Sequence, residues 1–100
     1  MSGEATQLDY EQILWSVADK EAGSLGKAFA PGCEQLVRGL AADGARQLVG
    51  NPERLVDAEV NLRRLVREMA NEASLRGDSE LHEYSLQSVM GRLCPLWPFC

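Results

Sequence analysis

Apolar residues recur at helical spacing along most of the chain, and the longest such segment lies between Asn51 and Gly77. Its apolar positions share one face of a helix: Leu55, Ala58, Leu62, Leu65, Val66, Met69, Ala70 and Ala73. Asn51 is a favourable N-cap, Pro52 suits the first helical turn, and Gly77 can end a helix in the left-handed conformation. The pattern therefore predicts a long helix over residues 52–76 around which the rest of the chain packs.

Two further apolar residues of this helix, Val56 and Val60, fall on a different side. We therefore expect the first half of the helix to be buried from two directions, with the first and second helices as its neighbours. The main stripe also follows a 3-4 spacing, which would suit a dimerisation seam. Because that spacing covers barely two heptads, a core helix of a bundle is the favoured interpretation.

The same helix carries oppositely charged residues at a spacing of four. Glu59 and Arg63 form one such pair, and Arg64 and Glu68 form another. Ion pairs at this spacing stabilise a solvent-exposed helix face by a few tenths of a kcal/mol, roughly. These residues are expected on the solvent-exposed face of the helix.

Three other segments have helical periodicity. They cover about residues 9–22, 32–49 and 79–93. Their apolar stripes comprise Tyr10, Ile13, Leu14 and Val17; then Cys33, Leu36, Val37, Leu40, Ala41, Ala45, Leu48 and Val49; then His82, Leu86, Val89, Met90 and Leu93. Asp9 is predicted to cap the first helix. A break at Asp43-Gly44 would split the second and give a fifth helix.

No segment shows the alternation or the hairpin signals of a β-strand. The 100 residues are expected to form one domain, residues 1–100. The predicted fold is all-α: a four-helix antiparallel bundle or orthogonal array, or five helices if the second is split. The tail at 94–100, rich in proline and aromatic residues, is predicted to pack on it.

The formal net charge is -5. Nucleic-acid and anionic membrane surfaces bind clustered Lys and Arg, so neither is expected as a partner. The N-terminus lacks the basic and apolar regions of a secretory signal, and no apolar run approaches the roughly 18 residues of a membrane span. The expected location is the cytoplasm.

Aromatic residues outside the apolar stripes are the candidate partner contacts. Trp15 falls off the stripe of the first helix, so it is covered either by the next loop or by a partner. Leu96, Trp97 and Phe99 concentrate apolar area in the tail. The tail could seal the bundle or dock into another chain. The resulting hypothesis is a non-catalytic interaction module (an adaptor, regulatory or accessory subunit) that binds a protein partner or forms a homodimer.

The alternative hypothesis is a small redox- or metal-responsive protein. It would use Cys94 and Cys100, assisted by Cys33 or His82. An odd number of cysteines does not fit a secreted disulfide framework, and their spacing matches no zinc finger or ribbon. Cys33 also lies on an apolar stripe, where cysteine acts as a small hydrophobe. No enzyme activity, cofactor or metal is therefore predicted.

Overall fold

A computed structural model describes residues 5–91, which form four α-helices, one 3-10 turn and two very short strands. The elements are α1 (Gln7–Ser24), β1 (Ala28–Phe29), α2 (Pro31–Gly50), a 3-10 turn (Pro52–Arg54), α3 (Leu55–Leu75), β2 (Glu80–Leu81) and α4 (Glu83–Met90). Most of the described residues are helical, which confirms the all-α class in that broad sense. The 94–100 tail, with Cys94, Leu96, Trp97, Phe99 and Cys100, lies outside the described residues.

The two long helices α1 and α3 end in the same way. Gly26 and Gly77 follow them with φ of 72° and 74°, in the left-handed region. In both turns the amide of the residue after the glycine donates a hydrogen bond of 2.9 Å to the carbonyl of the residue four positions before that glycine. This hydrogen bond closes a helix end on a left-handed residue. Each turn leads into a short strand and then the next helix, so the fold contains two helix–turn–strand–helix units.

The two units are joined where their strands pair. β1 and β2 are parallel, with Ala28 opposite Glu80 and Phe29 opposite Leu81. The amide of Ala30 also donates to the carbonyl of Leu81 at 2.9 Å. The pairing therefore brings the C-terminal ends of α1 and α3 to the same edge of the molecule.

The predicted fourth helix begins too early, because residues 79–82 form β2 and its flanks. Leu81 is fully buried within this pairing. His82 is extended, with φ -106° and ψ 167°, and precedes the helix instead of lying on its apolar face. β2 pairs with β1, whose residues lie 52 positions earlier in the sequence. Helical periodicity cannot reveal a pairing partner so distant in the chain.

The core is continuous through all four helices. α1 packs against both α2 and α3, and α4 packs mainly against α3. The predicted stripe of α3 is confirmed, apart from Leu55 at its start, which is half-buried. The largest fully buried aliphatic residues are Leu14, Val37, Leu48, Leu62, Leu65, Val66, Met69, Leu81 and Val89.

Two predicted helix starts are wrong, and both corrections concern caps. Thr6, not Asp9, caps α1: its hydroxyl accepts from the Asp9 amide at 3.2 Å, and the Asp9 carboxylate accepts from the Thr6 amide at 2.9 Å. The Asn51 side chain contacts the preceding helix, because its Nδ2 donates a hydrogen bond to the carbonyl of Gln47 at 3.1 Å. It therefore caps the end of α2, and Pro52–Arg54 forms a 3-10 turn before α3.

α2 continues without a break through Asp43 and Gly44, so the described residues contain four α-helices and no fifth. Gly44 is buried within this helix.

The predicted second buried side of the long helix is wrong. Val56 is 66% exposed and Val60 is 52% exposed. Ile13, Leu36 and Val49, expected in the core, are also exposed. α1 covers α3 from one side only, which leaves the outer side of α3 uncovered among the described residues.

We expect Gly77→Ala to lower the free energy of unfolding by about 1 kcal/mol. A Cβ at Gly77 would have nothing within 4 Å, so the cost comes from holding alanine at φ 74° and not from a clash. Urea unfolding followed by circular dichroism measures this change.

The matched control is Gly39→Ala. Gly39 lies within α2, and a Cβ there also has nothing within 4 Å. Alanine should raise stability at this site by roughly 0.5–1 kcal/mol. Equal effects at the two sites would contradict the left-handed helix end.

Candidate interaction surface

The outer side of α3 carries an exposed row of apolar and basic residues. We call it the Val/Arg face; it consists of Val56, Val60, Arg63, Arg64 and Arg67. Stepping by 100° per residue places this row on the side opposite Leu62 and Leu65, which are buried. The buried stripe holds α3 in the fold and so fixes the orientation of the exposed row.

The arginines of this face are largely unpaired. The guanidinium of Arg67 lies 3.4 Å from the Glu21 carboxylate, while neither Arg63 nor Arg64 forms an ion pair with another residue of the described range 5–91. The predicted pairs Glu59–Arg63 and Arg64–Glu68 are therefore not formed. Two free guanidinium groups on one helix face give a local positive charge on a chain whose net charge is -5.

A groove between α1 and α3 borders this face at Arg63. Its volume is about 800 Å³. Ile13 and Val17 supply apolar surface, and the charged side chains are of both signs. The complete lining is Asp9, Gln12, Ile13, Ser16, Val17, Lys20, Glu21, Ser24, Glu59 and Arg63. The groove and the Val/Arg face thus form one continuous surface with Arg63 in common.

Trp15 lies half-buried on the other side of α1, in contact with its own domain. Its ring centroid is 5.5 Å from that of Phe29, and the Arg38 guanidinium carbon is 4.1 Å from the Trp15 centroid. A small pocket of about 230 Å³ opens beside it, lined in part by Leu8. Phe29, in the connection between α1 and α2, therefore covers part of Trp15, and the residue stays partly exposed. Its role in partner binding stays a prediction.

Cys33 is fully buried in the core. Burial raises the pKa of its thiol to about 11, and the nearby Glu83 carboxylate adds to this shift. The thiolate is the nucleophile and metal ligand. At neutral pH Cys33 is therefore a protonated core residue, which argues against its predicted supporting role in redox or metal chemistry.

His82 lies at the N-terminus of α4, where its ring stacks on Tyr84 with centroids 5.6 Å apart. Tyr84 donates a hydrogen bond to the Asp78 carboxylate, which raises the pKa of the tyrosine hydroxyl. The Arg76 guanidinium carbon lies 4.5 Å from the same ring. These contacts attach the turn after α3 to α4. The sequence gave no signal for this contact between Tyr84 and Asp78.

Residues 5–91 contain no group of side chains placed to bind a metal ion. No three side chains among the His, Cys, Asp and Glu residues of this range are placed to hold one ion. Cys94 and Cys100, on which the redox or metal hypothesis mainly rests, lie outside the range.

Comparison with known proteins adds no family: no family model, curated protein or solved structure matches the chain. Among the described helices, none has both the length and the apolar character needed to cross a membrane. The surface itself is therefore the evidence for function.

We expect Cys33 to resist modification by a thiol reagent at pH 8 in a Cys94→Ser, Cys100→Ser background. With a thiol pKa of about 11, little thiolate forms in the folded chain, and the sulfur is also inaccessible. Ellman's reagent should react slowly with the native chain and rapidly in urea. A native rate close to the rate in urea would contradict the buried, protonated thiol.

The same shift predicts a pH dependence of stability. The folded chain holds the Cys33 proton more tightly than the unfolded chain, whose thiol has the ordinary pKa of 9.0. The contribution to stability is therefore complete below pH 9 and declines as the pH rises towards 11. Cys33→Ala in the same background should lack this component, as unfolding curves at pH 8 and pH 10.5 would show.

Proposed function

We propose that this chain is a small non-catalytic interaction module, such as an adaptor, regulatory or accessory subunit, that binds another protein. One observation carries the proposal: α3 exposes Val56 and Val60 beside unpaired arginines, although these valines belong to a strongly patterned helix. Single exposed apolar residues are ordinary on protein surfaces. Here two lie one helical turn apart and adjoin a groove with further apolar surface, which is the composition of a contact site.

The size of this surface fits a modest contact. The Val/Arg face extends over 12 residues, a length of roughly 17 Å along the helix axis. The groove beside it adds Ile13 and Val17. A partner element could therefore lie along α3 and reach α1 with the same side, which supports a binding function over a purely solvated face.

The proposal also covers the arrangement of the helices, the tail, Trp15 and the location of the protein. The helices form an antiparallel bundle, and the tail with Leu96, Trp97 and Phe99 either packs on it or joins the contact. Trp15 is a secondary contact residue through its accessible edge. The module acts in the cytoplasm and has no need of a cofactor.

We expect the double variant Val56→Ser, Val60→Ser to lose binding while keeping its fold. Both side chains are exposed, so little core packing changes, whereas covering two valines by a partner contributes on the order of 1–2 kcal/mol. Affinity should then fall roughly tenfold or more. The measurement is capture from extracts of the cells that contain the chain, followed by titration of the captured protein against each variant.

The matched control is Leu75→Ser, because Leu75 is 86% exposed on the same helix but lies off the Val/Arg face. This control should bind like the unmodified chain. Sedimentation velocity would detect a homodimer as the bound species. Unchanged affinity and unchanged oligomeric state in the double variant would exclude this surface as the binding site.

A further inference from the structure

We infer that the partner of the Val/Arg face is an amphipathic helix with acidic residues next to its apolar ones. This inference rests on the proposed function and specifies the chemistry of the partner. It follows from three properties of the face: the spacing of its residues, the charge of its arginines and the charge of the remaining chain.

The spacing suits a helix as the docked element. Val56, Val60, Arg63 and Arg67 are separated by four, three and four residues. Alternating steps of three and four keep side chains in one seam along a helix and allow a second helix to lie beside it at a shallow angle. The same sequence of steps results when the row is read backwards, so a helix of either direction can match it.

The positive charge of the arginines indicates which side chains the partner helix carries. The Val56–Val60 half of the row is apolar, and the Arg63–Arg67 half is basic with Arg64 beside it. Apolar residues over two turns followed by Asp or Glu over the next two would cover the valines and pair with the arginines. Within the described part of the chain, Arg63 and Arg64 have no ion pair that a partner would have to break, and Arg67 has only the exposed contact with Glu21.

A second copy of this chain fits the row poorly. Two Val/Arg faces in parallel would place arginine against arginine, and in antiparallel they would place arginine against valine. Like charges facing each other cost binding energy, and an unpaired charge against an apolar side chain is also unfavourable. The row therefore favours a different chain over self-association.

A polyanion also fits less well than a helix. Carboxylates of Glu21 and Glu59 lie beside the face, and the whole chain is acidic. Binding to a phosphate backbone or an anionic bilayer is driven by many cations, and three arginines give little of that attraction. Neither surface would use the valines in the way an amphipathic helix does.

The test uses synthetic helix-stabilised peptides labelled with fluorescein. The first has two leucines and two glutamates in the four-three-four spacing, made in both orders. The second replaces the glutamates with lysine, and the third replaces the leucines with serine. Fluorescence anisotropy at low salt should show that the full chain binds one glutamate peptide roughly tenfold more tightly than its lysine version. Raising the salt should narrow this difference.

A charge-swap variant provides the decisive comparison. Arg63→Glu with Arg64→Glu should lose the preference for glutamate and bind the lysine peptide more tightly, because both substitutions are exposed and reverse the sign of the face. Arg46→Glu on α2, where Arg46 pairs with Asp43, should leave the preference for glutamate unchanged. The serine peptide should bind weakly to every variant.

The inference is overturned if the unmodified chain binds glutamate and lysine peptides equally, or if the charge-swap variant shows no reversal. It is also overturned if phosphatidylglycerol vesicles or single-stranded DNA bind through Arg63 and Arg64 while neither glutamate peptide is preferred. If capture still depends on Val56 and Val60 in that case, the interaction function stands and only the partner class is wrong.

Discussion

Burial of one apolar stripe along α3 organises the fold. Leu62, Leu65, Val66 and Met69 lose almost all solvent contact, and both α1 and α4 pack against this helix. Burying a large aliphatic side chain contributes roughly 1.5–3 kcal/mol. With so much of the core on one helix, the orientation of α3 is fixed, and its opposite side necessarily faces outwards.

The parallel pairing of β1 and β2 determines where α1 and α3 meet. Two left-handed glycine turns end these helices at one edge, and the strand hydrogen bonds hold the edge together. From there α1 runs beside α3 and forms one wall of the groove at Ile13 and Val17. The small sheet thus holds together one end of the two helices that border the groove.

Helical periodicity was sufficient to predict the buried stripe of α3 and the left-handed end at Gly77, since both depend on residues close in the chain. It could not predict β2, because Leu81 is held by a strand distant in sequence. Asn51 shows another limit: it lies between two helices and can cap either, and the tertiary fold selects the end of α2.

Val56 and Val60 show what a sequence pattern cannot predict about a binding surface. A pattern reveals that a residue is apolar but not whether its own chain or another chain covers it. Arg63 and Arg64 were likewise expected in local pairs at a spacing of four, which would have neutralised their charge on the face. Neither pairs with another described residue, and only the arrangement in three dimensions shows apolar and unpaired basic residues together.

Residue-resolved NMR would show whether the outer side of α3 binds a helix of opposite charge. The glutamate peptide would be titrated into uniformly ¹⁵N-labelled chain while amide chemical shifts are recorded. The account predicts that the largest changes fall on residues 56–67 and on the neighbouring part of α1 around Ile13 and Val17, with α2 little affected. Changes centred on α2, or spread evenly over the chain, would contradict it.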